Sequence, residues 1–252
     1  MKVGLMGFGK TGRSVASVIL AAKDCSLEWI YRRGSALDHR SASEFLGIES
    51  ADRATILSPS SIDVDTLLEQ HPVDIIIDFS SSEGIWTYGD QAAERGITIV
   101  SAISHYNSEE IGFLRKLALL TTVFWSPNIT LGVNYLLFSA RLLQKIAPEV
   151  DIEIVEEHFS NKQGVSGTAV KIANALELEH EKINSIRAGG IVGKHEVIFG
   201  FPFQTVRLVH ESISREAFGN GALFAARHLS GKPAGFYKFE DLLAPYFAQQ
   251  IA

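Results

Sequence analysis

A histidine, a lysine and a Ser-Gly-Thr triplet lie close together in the middle of the chain, as His158, Lys162, Ser166, Gly167 and Thr168. An imidazole titrates near neutral pH and can donate a proton, and an ammonium group can hold a carboxylate. Apolar residues at helical spacing follow the triplet, which predicts that Ser166 is a helix N-cap. The backbone N–H groups of a helix N-terminus bind anions. An ordinary capped helix after a polar loop is the alternative, but the nearby histidine and lysine favour a site that holds and protonates a small anion.

The first residues predict a dinucleotide-binding turn. A short apolar strand over residues 2–6 is followed by a G-x-G-x-x-G motif and then by apolar residues at helical spacing. In this strand-turn-helix context the first glycine permits the tight turn, the second lets the backbone approach a pyrophosphate, and the third allows close helix packing. A glycine turn in an unrelated α/β protein is the weaker alternative. The motif comprises Gly7, Phe8, Gly9, Lys10, Thr11 and Gly12.

A second predicted strand, residues 27–31, ends in two arginines where such domains usually carry an acidic residue. An acidic residue there binds the ribose hydroxyls of NAD, whereas arginine binds the 2′-phosphate of NADP. Arg32 and Arg33 therefore indicate NADPH, with NADH as the other candidate. A solvated basic turn is the alternative, above all for Arg33.

Further apolar runs at residues 73–79, 97–100 and 121–125 alternate with helical segments, which predicts a doubly wound parallel sheet. Ligands of such sheets bind beyond the carboxyl ends of the strands. We therefore expect the residues that end these strands to contact the cofactor, namely Phe79, Ser80, Ser101, Ile103, Ser126, Asn128 and Ile129.

The pattern changes after Asn134 to a long apolar helix and then mainly to strands, with few crossover helices. This predicts an α+β domain with an open, antiparallel or mixed sheet that binds substrate and contributes to oligomerisation. The predicted helix covers residues 135–146, and the predicted strands cover residues 152–157, 183–189, 193–200 and 205–212.

Composition excludes several classes of protein. The chain of 252 residues is 46% hydrophobic and 21% charged, with a net charge of −6, so we expect no nucleic-acid or anionic-membrane partner. Its single cysteine, Cys25, excludes an internal disulfide and a multi-thiolate zinc site, which suits the reducing cytoplasm. The sequence begins without the apolar segment of a signal peptide. We predict a cytoplasmic protein.

Several blocks together make the chain resemble the dihydrodipicolinate reductase (4-hydroxy-tetrahydrodipicolinate reductase) family over nearly its whole length. Besides the glycine motif and the residues 157–169 segment, these blocks are residues 77–80, 127–134, 187–197, 214–218, 221–222 and 235–237. The blocks in the second half are peculiar to that family and are more specific than the glycine motif.

The resemblance implies an NAD(P)H-dependent reductase of a cyclic imine dicarboxylate in lysine and diaminopimelate biosynthesis. It implies that His158 is the proton donor, that Lys162 is catalytic and holds a carboxylate, and that the Ser-Gly-Thr turn binds a substrate carboxylate. It also implies a homotetramer without metal. The implied dinucleotide-binding domain comprises residues 1–127 and 215–252, and the substrate domain comprises residues 128–214.

Three departures from the family pattern concern the substrate. Phe159 replaces a second histidine and cannot donate a hydrogen bond. Residues 101–104 lack the family's two threonines, and the segment between Lys162 and Ser166 is one residue short. Two alternatives follow: a related oxidoreductase that acts on a different imine or amino acid, or a non-catalytic NADP-binding regulator. Retention of His158 and Lys162 argues against the regulator.

The remaining histidines have weaker functional interpretations. His195 either orients the substrate domain or is structural. The others lack partners at metal-ligand spacing, so we interpret them as surface or incidental residues: His39, His71, His105, His180, His210 and His228.

Overall fold

The computed structural model describes residues 1–52 and 54–249. The chain forms two compact units. The first comprises Met1–Thr130 and Phe218–Ala252, and the second comprises Leu131–Ala217. No helix in the described ranges is long and apolar enough to cross a membrane.

The first unit is built on one parallel sheet of seven strands in the order β11-β6-β5-β4-β1-β2-β3. Strand order reverses beside β1, because β2 and β3 extend the sheet on one side and β4 to β6 on the other. Such a reversal opens a crevice at the carboxyl ends of the two central strands. Numbered along the whole chain, its strands are β1 (Lys2–Met6), β2 (Ser26–Tyr31), β3 (Thr55–Leu57), β4 (Ile75–Asp78), β5 (Thr98–Ser101), β6 (Thr122–Trp125) and β11 (Gly235–Tyr237).

Helices connect these strands. Every residue of β4 is buried, as expected of a central strand between helical layers, and this explains its unbroken apolar sequence. The helices are α1 (Lys10–Ala21), α2 (Ala42–Leu46), α3 (Val64–Gln70), α4 (Gly84–Glu94), α5 (Ser108–Leu117), α8 (Glu216–Leu229, which begins at the end of the second unit) and α9 (Phe239–Gln249).

The second unit contains a mixed sheet of four strands in the order β10-β9-β7-β8, in which only β7 and β8 run parallel. One face packs on α6 and α7 through a cluster that includes Leu136, Ile154 and Ile172. Its elements are α6 (Leu131–Ile146), β7 (Asp151–His158), α7 (Gly167–Ala175), β8 (Ile183–Arg187), β9 (Lys194–Phe201) and β10 (Gln204–Glu211).

The predicted fold class, a Rossmann-type sheet plus a separate α+β part, is confirmed. Most predicted strand ends are within two residues of the observed ends. The sequence did not predict the strands β3 and β11, which have only three residues each, too few to show a period.

Candidate functional site

The crevice of the first unit holds a cavity of about 560 Å³ at the carboxyl ends of β1 and β4. Seven of the predicted cofactor residues line it: Gly7, Phe8, Gly9, Arg32, Arg33, Phe79 and Ser80. Other lining residues are Met6, Tyr31, Gly34, Pro59, Ser81, Glu83, Gly84 and Thr87.

The turn between β1 and α1 has the shape of a phosphate cradle. Gly7 has a φ of 94°, and a Cβ there would lie 2.6 Å from the carbonyl oxygen of Phe79. A Cβ at Gly12 would lie 2.4 Å from the Gly7 carbonyl oxygen, whereas a Cβ at Gly9 would meet no atom within 4 Å. The open space at Gly9, which is the N-cap of α1, leaves the helix N-terminus accessible to a pyrophosphate.

The two arginines after β2 differ in their partners. The Arg33 guanidinium lies 2.9 Å from the carboxylate of Glu83, and both side chains are largely exposed. Arg32 makes no ion pair with any residue that the structure describes. Arg32 is therefore the better candidate for a phosphate, and Glu83 places a carboxylate in the crevice that the sequence did not reveal.

The other predicted cofactor residues do not line this cavity. Lys10, Thr11 and Gly12 form the first turn of α1. Ser101 and Ile103 are buried, and the Ser101 hydroxyl lies 2.8 Å from the hydroxyl of Tyr106. Their backbone carbonyl oxygens are also bonded, that of Ser101 to the Ser126 N–H at 3.1 Å and that of Ile103 to the Trp125 ring N–H at 2.9 Å, so both cofactor assignments stay predictions.

The last predicted cofactor segment, residues 126–130, forms a turn that is held by hydrogen bonds between its own residues. The buried hydroxyl of Ser126 donates to the carbonyl oxygen of Asn128 at 2.6 Å, and the Asn128 side chain accepts from the Thr130 hydroxyl at 2.9 Å. Ile129 is buried. The assignment of Ser126, Asn128 and Ile129 to cofactor binding stays a prediction.

A buried carboxylate supports the loop after β4. Asp78 accepts hydrogen bonds from the backbone N–H and hydroxyl of Ser80 at 2.8 and 2.6 Å, and from the hydroxyl of Tyr88 at 2.9 Å. Burial raises the pKa of Asp78 to about 6, although these hydrogen bonds oppose the shift. Asp78 thus fixes a loop of the cofactor crevice.

In the second unit, β7 carries the predicted proton donor on its buried face. Alternate residues Ile152, Ile154, Glu156 and His158 point to the same side, which the helices cover. The face is apolar at the start of the strand and polar at its end. Consequently Glu156 and His158 lie side by side, two residues apart, at the polar end of this face.

The Glu156 carboxylate bonds to the His158 ring. It is fully buried and lies within hydrogen-bond distance of His158 Nδ1. It also accepts from the Ser185 hydroxyl at 2.6 Å, from the Ser166 backbone N–H at 3.2 Å and from the Arg187 guanidinium. Burial disfavours the ionised form, but the hydrogen bonds from Arg187, Ser185 and His158 outweigh it and lower the pKa of Glu156 to about 2. Glu156 is therefore a permanent anion beside the imidazole.

The opposite nitrogen of His158 faces an open position. Among the described residues Nε2 has no hydrogen-bond partner, and a Cβ at Gly193 would lie 3.1 Å from it. Glycine at this position thus leaves room next to Nε2. A carboxylate has no proton to donate, so Nδ1 carries the hydrogen of its bond to Glu156 and Nε2 is the nitrogen that can exchange a proton with a substrate.

The loop after β7 presents the other predicted substrate residues. Phe159 is 44% exposed, and its carbonyl oxygen accepts from the Lys162 backbone N–H at 3.1 Å. Lys162 is half-buried as a residue, and its ammonium forms no ion pair within the described ranges. A half-buried cation without a carboxylate partner suits an anionic ligand.

Ser166 occupies the N-cap position of α7, but its side chain does not cap the helix, contrary to the prediction. The hydroxyl instead lies 2.8 Å from Nε2 of the buried His195, because β9 brings that histidine to the turn. Burial and the neighbouring His158 and His210 lower the pKa of His195 to about 4, so it is neutral near pH 7. Gly167 and Thr168 form the first turn of α7, whose N–H groups can meet a carboxylate.

Two of the histidines interpreted as surface residues are half-buried, which corrects that interpretation. His210 lies against Gly132 at the start of α6, where a Cβ would lie 2.6 Å from the ring, and burial lowers its pKa. Both ring nitrogens of His228 are hydrogen-bonded, to the Phe224 carbonyl and the Tyr246 hydroxyl. Across the described residues, no group of three or more His, Cys, Asp or Glu side chains is arranged to hold a metal.

Sequence reasoning missed Glu156, Arg187 and Glu83 as site residues. A signal for Glu156 was present, since residues two apart on a strand share a face and Glu156 precedes His158 by two. Arg187 and Glu83 gave no local signal. Arg187 meets Glu156 through the pairing of β8 with β7, and Glu83 meets Arg33 from the loop after β4.

Comparison with known families gives two adjoining matches that together cover most of the chain. Residues 1–129 match the family described as "Dihydrodipicolinate reductase, N-terminus", and residues 132–243 match "Dihydrodipicolinate reductase, C-terminus".

Individual relatives and a solved structure agree with these matches. The 4-hydroxy-tetrahydrodipicolinate reductase of Caldanaerobacter subterraneus subsp. tengcongensis is 33% identical over 222 residues, which cover 79% of this chain and 88% of the relative. The 4-hydroxy-tetrahydrodipicolinate reductase of Oleidesulfovibrio alaskensis is 29% identical, and the match covers 93% of this chain and 96% of the relative. A dipicolinate-bound dihydrodipicolinate reductase from Paenisporosarcina sp. TG-14 shares the fold, with a TM-score of 0.78, 19% identity, and coverage of 94% of this chain and 97% of that one.

Proposed function

This chain belongs to the dihydrodipicolinate reductase family, and from that premise we propose that it reduces a cyclic imine dicarboxylate, the 4-hydroxy-tetrahydrodipicolinate reductase step of lysine and diaminopimelate biosynthesis. One observation carries the proposal. A proton donor oriented by a buried carboxylate, His158 on Glu156, lies on the strand that leads into Lys162 and the N-terminus of α7.

The residues of the second unit supply binding and proton transfer. Lys162 and the N–H groups at Gly167 and Thr168 would hold substrate carboxylates, and Lys162 would also offset negative charge that develops during the reaction. His158 would donate a proton from Nε2 to the carbon beside the one reduced. Bound NAD(P)H supplies the hydride.

The cofactor is NAD(P)H, and we propose a preference for NADPH. The glycine cradle of the first unit fits a pyrophosphate, since a Cβ is excluded at Gly7 and Gly12 while the space at Gly9 is open. The unpaired guanidinium of Arg32 would bind the 2′-phosphate. Glu83, already bonded to Arg33, offers a carboxylate to ribose hydroxyls, so NADH binding is the second possibility.

Phe159 supports the alternative that the substrate is a different imine or amino acid. Its exposed ring stands where the family has a second histidine, and a phenyl group cannot bond a carboxylate. A non-catalytic NADP-binding regulator is the third candidate. The buried Glu156 argues against it, because a regulator has no use for an oriented proton donor.

We further propose the organisation implied by the family. Residues 1–127 and 215–252 would bind the cofactor, and residues 128–214 would bind the substrate and form the contacts of a homotetramer. We propose a cytoplasmic enzyme with no nucleic-acid or membrane partner.

Turnover assays decide among the candidates. The purified protein is assayed with the lysine-pathway substrate and NADPH or NADH, and then with a panel of cyclic imines that carry one or two carboxylates. Turnover of the dicarboxylate supports the proposal. Turnover only of monocarboxylate imines supports the second candidate, and cofactor binding without any turnover supports the third.

A further inference from the structure

We propose that Glu156 and Arg187 are positioning residues for the reaction, and that together they fix the proton-donating nitrogen of His158 and hold the loop that carries Lys162. The inference rests on the proposed roles of His158 and Lys162. Neither Glu156 nor Arg187 needs to touch the substrate.

Strand pairing places the two residues around the histidine. In the parallel pair of β7 and β8, Ser185 lies opposite Glu156 and Arg187 lies opposite His158. On the other side of β7, His195 lies opposite Glu156 in the antiparallel pair with β9. The buried carboxylate is thus enclosed by its own sheet neighbours, and any rotation of its side chain would break bonds to several of them.

Arg187 uses its guanidinium in two directions. One side forms a bidentate contact with both carboxylate oxygens of Glu156. The remaining donors reach the loop after β7, at the carbonyl oxygens of Gly164 at 2.6 Å and Lys162 at 3.2 Å. The planar fork of arginine can serve several acceptors at fixed angles, which a lysine cannot. A single side chain therefore links the orientation of His158 to the position of the Lys162 backbone.

The geometry has a chemical consequence for the proton step. Because Glu156 holds the Nδ1 hydrogen, the Nε2–H bond of the imidazolium breaks as a C–H bond forms on the substrate, whose electron pair takes the proton. The electrons of the Nε2–H bond stay on Nε2, and His158 becomes neutral with its hydrogen on Nδ1. A proton from solvent then restores the imidazolium.

Glu156 is the anionic partner of the His158 ring. The ionisable groups around that ring are Glu156 on its own strand, Arg187 from β8 and His195 from β9. Among them Glu156 alone is an anion. Removal of its charge should weaken the hydrogen bond that holds Nδ1 and so fixes the ring.

The test is Glu156→Gln, which keeps the shape of the side chain and removes its charge. We expect kcat to fall at least tenfold, with a smaller change in KM, because the His158 ring is held less firmly while the substrate-binding groups stay in place. The matched control is Glu153→Gln on the same strand, since Glu153 bonds to Lys182 at 2.8 Å but to no histidine. Its kcat and KM should equal those of the parent.

Arg187→Lys tests the link to the loop. It retains the charge but cannot reach all the acceptors, so KM should rise several-fold because Lys162 is held less firmly. Arg207→Lys, which alters the pair between Arg207 and Glu196 on the same sheet, is the control and should leave KM unchanged.

Folding is checked separately by thermal unfolding and by NADPH binding to each variant. If Glu156→Gln does not fold, a measurement on the parent protein still tests the inference. We expect its ¹H NMR spectrum to show a downfield signal from the Nδ1 proton of His158. That signal should be absent in His158→Gln and present in His195→Gln. Lack of that signal in the folded parent, or an unchanged kcat in folded Glu156→Gln, overturns the inference. If His158→Gln itself retains activity, the proposed function fails instead.

Discussion

At the scale of single residues, the two predicted catalytic side chains differ in their surroundings. The His158 ring is buried and bonded through one nitrogen to an anion, whereas Lys162 is half-buried and its ammonium has no anionic partner within the described ranges. The first arrangement suits transfer of a proton and the second suits binding of a charged ligand. The two residues should therefore fail differently when they are replaced.

We predict that His158→Gln chiefly lowers kcat, by roughly 10²–10⁴-fold, which is the usual contribution of a general acid. Lys162→Ala should raise KM as well, because substrate binding is also lost. Steady-state kinetics with the true substrate measure both effects, and NADPH titration is the control, since cofactor affinity should survive in both variants. Losses of only a few-fold in either variant would place the site elsewhere.

A second prediction concerns Phe159 and the affinity for the lysine-pathway substrate. A hydrogen bond to a charged group contributes about 1.5–3 kcal/mol, or on the order of ten- to a hundred-fold in affinity. Because phenylalanine cannot form that bond, activity on the lysine-pathway substrate should be weak, and Phe159→His should lower KM more than it raises kcat. Full activity of the parent together with a neutral or harmful Phe159→His would show that Lys162 and the N-terminus of α7 suffice for the carboxylates.

At the scale of elements, the end of β2 and the start of α4 jointly line one side of the cavity in the first unit. Arg33, after β2, and Glu83, after β4, are 50 positions apart in sequence and pair at 2.9 Å because β2 and β4 lie on either side of β1 in the sheet. The Arg33 guanidinium is thus bonded to a carboxylate, whereas Arg32 forms no ion pair with any described residue.

We predict that Arg32→Ala weakens NADPH binding by about ten- to a hundred-fold, the loss expected for charge-assisted hydrogen bonds to a phosphate, and has little effect on NADH. Arg33→Ala is the matched comparison and should reduce NADPH affinity less, because the Arg33 guanidinium is already bonded to Glu83. Fluorescence titration of each reduced cofactor gives the affinities. Equal affinity of the parent for NADPH and NADH would contradict the prediction.

At the scale of the whole molecule, three buried titratable groups make stability depend on pH in opposite directions. Glu156 has a lowered pKa, so its contribution is present above its unfolded value of 4.5 and is lost as pH falls toward about 2. His195 is buried neutral, and its lowered pKa makes it destabilising as pH falls from 6.5 toward about 4. Asp78 has a raised pKa, so burial of its ionised form costs stability as pH rises toward and above about 6.

Asp78→Asn isolates the last of these effects. The unfolding free energy of the variant, relative to that of the parent, should increase by about 2 kcal/mol between pH 4 and pH 7, since each pKa unit corresponds to 1.36 kcal/mol, the shift is about two units, and unfolded Asp78 is already partly ionised at pH 4. Urea unfolding at a series of pH values measures the difference, in which the contributions of Glu156 and His195 cancel. A difference that is constant with pH would show that Asp78 is ionised in the folded and unfolded states alike.

The sequence alone determined the fold class and the glycine turn, and it predicted the proton-donor segment. Each of these depends on contiguous residues, because the period of apolar positions, the backbone freedom of Gly7 and the spacing of His158 and Lys162 are local properties. The face shared by Glu156 and His158 was equally local.

Tertiary structure decided which side chains are paired and which are left for a ligand. Arg187 meets Glu156 across 31 positions through the register of β7 and β8, and Ser166 bonds to His195 rather than capping its own helix. Arg33 and Glu83 meet in the same way through the order of the strands. Register and strand order arise from the packing of distant segments, so no local spacing of residues carries them.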